Sequence, residues 1–171
     1  MKKIFGFMLV AMLIAAAPAA AADVKIGVID LQKVLRTSLA GQAAQKNIAE
    51  KAKAFQETMQ GRQKDLQKLN ADFEKQKMVL SKEAVADKER DLQQKVKDFQ
   101  RFGKDAQEEL QQEDRQATTR ILDEVAKVVK EMGAKAGYDV IVEKSTTLYT
   151  ADRADLTDQV VKAYDKQFKG K

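Results

Sequence analysis

Between Ile48 and Ala117 this chain repeats apolar residues at alternating steps of four and three, with no proline to interrupt them. Such a stripe is narrower than the face of a globular helix and corresponds to a coiled-coil seam. The first series runs Ile48, Ala52, Phe55, Met59, Arg62, Leu66, Leu69, Phe73, Gln76, Leu80. After "SKEA" a second runs Val85, Glu89, Leu92, Val96, Phe99, Gly103, Ala106, Leu110, Glu113, Ala117. The two mirror each other about a point between Lys82 and Glu83. Leu80 then faces Val85, Phe73 faces Leu92, Leu69 faces Val96, Leu66 faces Phe99 and Phe55 faces Leu110. Any two heptad runs admit some aligned register. This one also needs only a four-residue connection, and Ser81 is placed to cap the second helix. The spacing predicts an antiparallel helical hairpin over 41–136 with its tip near 81–84. An arm of about 40 residues reaches roughly 60 Å.

The seam is thin. Ala52, Gly103, Ala106 and Ala117 are small, and Arg62, Gln76, Glu89 and Glu113 are polar. Half-covered layers contribute less than the about 1.5–3 kcal/mol of a fully buried Leu or Phe. Gly61 and Gly103 fall nearly opposite one another, and glycine weakens a helix interior by about 1 kcal/mol, so a flexure is expected there. Past Ala117 the rhythm changes to Ile121, Val125, Val128 and Met132. Such a stutter suits a helix leaving a two-stranded arm for a thicker base.

Both ends of the arm are flanked by strand-like text. "KIGVIDLQKVL" reads as a strand over about 24–29 and a short helix over 31–37. An acid at a strand's end invites a catalytic reading of Asp30, but the residue before a helix is the N-cap position, where Asp accepts backbone N–H groups. Gly133 and Gly137 bracket the end of the second long helix. "YDVIVEK" predicts a strand over 138–143, "STT" a turn, "LYT" a returning strand over 147–150, and "DRADLTDQVVKAYDKQF" a helix over 156–168. Asp155 can cap that helix, with Leu156, Val160, Val161 and Tyr164 facing inward. These parts, 23–40 and 137–171, form an oligomerisation body in this reading. About fifty residues without disulfides or metal are too few for a core of their own, and open strand edges invite pairing between chains. Val24, Ile26, Val28, Val140, Ile141, Val142 and Leu148 are the apolar residues assigned to it.

The first 22 residues stand outside this scheme. "MKK", then "IFGFMLVAMLIAAA", then "PAAAAD" read as a secretory signal peptide with cleavage after Ala22, which makes the remainder an exported, soluble protein. Without Lys2 and Lys3 the chain carries 29 basic and 26 acidic residues. Cys, His and Trp are absent and Pro18 is the only proline. Thiol chemistry, thiolate metal sites and the commonest general base are therefore excluded. Ser38, Ser81 and Ser145 lie in no nucleophile motif, and no Gly-rich phosphate loop occurs. Most acids sit at helical spacing beside Lys or Arg, as on a solvated surface. No enzyme, cofactor or metal is expected. Nucleic-acid binding fails because interleaved acids leave no continuous basic stripe.

The signal sequence, "KIGVIDLQKVL", the proline-free charged hairpin, "GYDVIVEKSTTLYTA" and "DLTDQVVKAY" together resemble the Skp/OmpH family of periplasmic chaperones over essentially the whole exported length. The order and spacing of all five carry the likeness, since heptads alone are common. The resemblance implies a homotrimer in which strands from three chains build a small β-structured body. Helical hairpins then hang around a cavity that holds unfolded outer-membrane β-barrel proteins without ATP. Residues 60–104 hold twelve basic and eight acidic side chains, so the distal arms would attract anionic clients in a salt-dependent way. Met78, Val79 and Phe102 are apolar but off the seam, and Lys75, Lys77, Lys82, Lys88 and Arg90 cluster near the tip. These eight residues are the candidate client-binding set, and anionic lipid surfaces are a further candidate partner. The competing function is an exported structural coiled coil that spaces or organises the cell envelope. A spacer needs a specific docking surface at its tip, whereas a chaperone needs a permissive one.

Overall fold

The computed structural model describes residues 24–169, so the expected signal peptide lies outside the described residues. The elements are β1 (Ile26–Ile29), α1 (Leu31–Thr37), α2 (Leu39–Gln76), α3 (Lys82–Ala136), β2 (Val140–Glu143) and α4 (Thr157–Lys169). Two short 3₁₀ turns, Lys144–Thr146 and Asp152–Ala154, lie between β2 and α4. The protein is mostly helical, with a small parallel sheet in which Ile26 pairs with Val140 and Ile29 with Glu143. An isolated bridge joins Val28 to Asp155 on the other side of β1. The stretch 147–150 is not a strand. It spans a loop between the two 3₁₀ turns, and among the described residues it finds no strand to pair with.

From Gln45 to Arg120 only Phe73 and Ala106 are buried, as expected where two helices cover only each other along one seam. The half-buried positions Ile48, Ala52, Phe55, Met59, Leu66, Leu69, Leu92, Phe99, Leu110 and Ala117 are those of the heptad series. Val96 is on the series yet 39% exposed. The tip comes earlier than the mirror predicts, at residues 77–81 rather than 81–84. Lys77 N–H still donates to Phe73 O, but the N–H groups of Val79 and Leu80 both turn back to Gln76 O, at 3.0 and 3.2 Å. That tight turn ends α2 before Leu80 can join the seam. Leu80 and Val85 instead flank the Ser81 cap at the N′ and N4 positions, the places of a hydrophobic staple. Ser81 does cap α3, its Oγ accepting from Ala84 N–H at 3.2 Å.

The earlier turn shifts the register. Phe55 meets Phe102 edge-on at 5.9 Å between ring centroids, not Leu110, and the Met59 methyl covers Gly103. Neither α2 nor α3 is interrupted at Gly61 or Gly103.

The core lies at the root of the arm. Ile29, Val34, Ala40, Ile121, Val125, Val128, Leu156, Val160 and Tyr164 form one buried cluster. Counting only the residues outside the hairpin therefore underestimates it. The stutter past Ala117 turns Ile121, Val125 and Val128 toward the body, so α3 supplies a third of the cluster. α4 clasps the rest: Thr157 Oγ accepts Asp30 N–H at 2.9 Å, Asp165 Oδ1 accepts Leu39 N–H at 2.8 Å, and Tyr164 O–H donates to Glu124 at 2.7 Å. Gly137, at φ 69°, takes the left-handed conformation that ends α3 and donates its N–H to Gly133 O.

Candidate functional site

Asp30 is occupied structurally. Its Oδ1 accepts Lys33 N–H at 2.7 Å, so the carboxylate that suggested chemistry caps α1. Among the described residues no group of three or more carboxylates could hold a metal ion, and no helix is long and apolar enough to cross a membrane.

The candidate surface is the distal hairpin and its exposed tip. Met78 is 93% and Val79 83% exposed, side by side in the turn that closes the arm. Of the cations around them, Lys77 reaches Glu89 across the hairpin at 3.3 Å and lies 5.3 Å from the Phe73 ring centroid. Lys75 stands 4.0 Å from Asp72, and Arg90 pairs with Asp87 on its own helix. Lys82 and Lys88 make no ion pair among the described residues. Exposed pairs of this kind contribute little energy and do not cancel the basic excess of the distal arm.

Phe102 does not belong with the tip. The shifted register brings it between the helices, against Phe55 and beneath the Arg62 guanidinium, which lies 4.0 Å from its ring centroid. A seam position that reads as polar in the sequence, Arg62, thus acts as a lid over an aromatic pair. The only sequence signal was the arginine's place in an otherwise apolar series.

Between this pair and the tip the helices leave a groove of about 380 Å³, lined by Leu66, Leu69 and Phe99 together with Arg62, Lys95 and Asp98. Toward the body the arm is closed by Lys51, which bonds Glu113 and stands 3.9 Å from Glu109. The hydrogen bond to Glu113 raises the Lys51 pKa above its ordinary value, against the opposing effect of partial desolvation. Between these two clamps the groove leaves the seam open at the level of Leu66 and Phe99.

The residues assigned to the body divide into two groups. Val28 is buried, Ile141 packs against the core and Val142 is half-buried. Val24, Ile26 (52%), Val140 (47%) and Leu148 remain exposed, with Tyr149 beside them in sequence. Ile26 and Val140 are register partners, so their exposure marks an uncovered apolar patch at the start of the sheet, next to the buried Val28 on the same face. The loop carrying Leu148 is strapped at its base by Lys144 and Asp155 at 2.9 Å. Burial alone would raise the Asp155 pKa. Hydrogen bonds from the Thr157 hydroxyl, Lys144 and Thr157 N–H outweigh it and hold the group at about 2. Burial, then the bond to Glu124, pushes the Tyr164 phenol up.

The family model for outer membrane protein (OmpH-like) matches residues 25–164, from the first residue of the sheet clasp to the core tyrosine of α4. The chain belongs to the OmpH-like family. Among solved structures the fold is similar to a crystal structure from Caulobacter crescentus CB15, an OmpH-like protein assigned as an outer membrane chaperone. The TM-score is 0.80 at 19% identity, covering 84% of this chain and 85% of that one. No curated protein matches. At that identity the likeness is one of fold.

Proposed function

We propose that this OmpH-like protein is an ATP-independent periplasmic holdase that binds unfolded outer-membrane β-barrel proteins and keeps them from aggregating. The observation that carries the reading is the hairpin itself. From Gln45 to Arg120 almost nothing is buried, so the arm presents a long, charged, adaptable surface ending in the exposed pair Met78 and Val79. Membership of a family described by outer membrane proteins, and the chaperone assignment of the Caulobacter protein, support the same reading. A spacer would need a shaped docking surface at the tip, whereas two neighbouring apolar side chains amid cations bind permissively.

In this reading three copies assemble through the exposed apolar residues of the body, Val24, Ile26, Val140 and Leu148, and enclose the client between their arms. Apolar residues left exposed on a two-stranded sheet are stabilised by such burial, since a sheet this small is marginal alone. The basic excess of the distal arms draws in anionic clients, more strongly at low salt. The test dilutes a urea-unfolded outer-membrane barrel protein into nucleotide-free buffer containing one trimer per client, followed by light scattering. Suppressed scattering that weakens with salt is expected. Unchanged scattering at low salt overturns the proposal, and sedimentation as a stable monomer removes the cavity.

A further inference from the structure

The three methionines of the described chain occupy different surroundings. Met59 lies in the seam with its sulfur 3.8 Å and its methyl 3.2 Å from where a Cβ on Gly103 would be, so the opposite helix shields it. Met132 packs against the core of the body. Met78 is 93% exposed at the arm's end. Thioether oxidation by dissolved oxidants follows access to the sulfur, and the chain has no cysteine to be oxidised first.

We propose that Met78 is an oxidation-controlled contact: a two-electron oxidant of the peroxide class converts its thioether to the sulfoxide and switches the hairpin tip from apolar to polar. A sulfur lone pair attacks one peroxide oxygen; the S–O bond forms as the O–O bond breaks, and after proton transfer water leaves. Sulfur loses the two electrons that the peroxide gains, and reduction of the sulfoxide restores the original side chain. Among the described residues of the arm the other exposed large apolar side chains are Val79 at 83% and Val96 at 39%, so oxidation removes about half of the tip's apolar surface. The fold is indifferent to the change, because Met78 packs against nothing that stabilises it. Loss of client holding on oxidation rests on the holdase reading above; the selectivity for Met78 does not.

The experiment treats the assembled protein with graded hydrogen peroxide and quantifies sulfoxide at Met59, Met78 and Met132 by mass spectrometry of peptides. Met78 should oxidise at least about fivefold faster than the other two, as its exposure dictates. Equal rates overturn the proposal. The same samples enter the light-scattering assay. Oxidised wild type should lose about half or more of its protection, Met78→Leu should protect equally before and after peroxide treatment at whatever level it starts, and Met78→Gln should resemble the oxidised protein without treatment. Circular dichroism should be unchanged throughout. Oxidised wild type that protects as well as untreated protein overturns the switch while leaving the holdase intact. Untreated protein that fails to protect overturns the holdase reading and the switch with it.

Discussion

Glycine-to-alanine substitution should have opposite signs at two positions of the same helix, Gly41 and Gly61. Gly41 stands three residues after the Ser38 cap of α2, and its N–H donates to Ser38 Oγ at 3.2 Å. A Cβ there would lie 1.8 Å from Leu35 O and 2.8 Å from Leu35 C, both backbone atoms of the preceding helix. No rotamer change relieves a backbone contact. The corner between α1 and α2 would have to open by more than an ångström. Only Ser38 separates the two helices, so opening would also draw Leu39 N–H from Asp165 Oδ1 and loosen the buried Ser38 cap. Strain of about 1–3 kcal/mol and a weakened cap of about 1 kcal/mol oppose a helix-propensity gain of about 1 kcal/mol. The net expectation is a loss of roughly 1–3 kcal/mol. At Gly61 nothing lies within 4 Å of the new methyl, so Ala should stabilise by about 1 kcal/mol. Urea unfolding followed by far-UV circular dichroism reads both, at one fixed protein concentration because the proposed assembly would tie the midpoint to concentration. A Gly41→Ala midpoint equal to wild type, or a destabilised Gly61→Ala, refutes the reasoning.

Asp155 links stability to acid: its folded pKa of about 2 lies below the ordinary 3.8, so its contribution is complete above about pH 4 and lost as the pH falls toward 2. The shift corresponds to about 2 kcal/mol, so urea melts of wild type and Asp155→Asn should differ at pH 7 and converge by pH 2; a pH-independent difference contradicts it. Asp30→Ala should cost about 1 kcal/mol and Asp30→Asn almost nothing, as for other helix caps; an Asn variant as damaged as Ala would mean the charge itself is required. Amide exchange should run faster around Gly61 and Gly103 than along the rest of either arm helix, and uniform protection there would remove the flexure.

The arm was legible because a seam is a repeat, and most of the apolar residues that repeat are the ones the structure covers, Val96 excepted. The exact register was not legible, since a heptad series fits its partner at several offsets and only the turn selects one. That turn is set by local hydrogen bonds at Gln76 O, which no periodicity reports. Phe102 was misplaced for the same reason: an offset of a few residues carries a side chain from the surface into the seam. The caps at Asp30 and Ser81 and the strands in "KIGVI" and "YDVIVEK" could be read, because each depends on near neighbours or on one strong pattern, whereas the parallel pairing of the two strands could not. The Asp165 bond to Leu39 N–H, 126 residues away in sequence, and the need for glycine at position 41 could not. The first follows from α4 folding back over the corner between α1 and α2, the second from the tightness of that corner itself.

That corner decides where the molecule yields. The root holds nine buried side chains in one cluster, each large one contributing about 1.5–3 kcal/mol, and α4 ties it to α1, α2 and α3 by side-chain hydrogen bonds. The arm, by contrast, buries only Phe73 and Ala106 between Gln45 and Arg120. Local opening follows the weakest cooperative unit, so the seam near Leu66 and Phe99 can part while the clasped root stays folded. For the proposed holdase, an adaptable surface would then come from the arm and its fixed position from the root. The thinness of the heptad stripe, an energetic weakness for an isolated coiled coil, is what allows one fold to contain both.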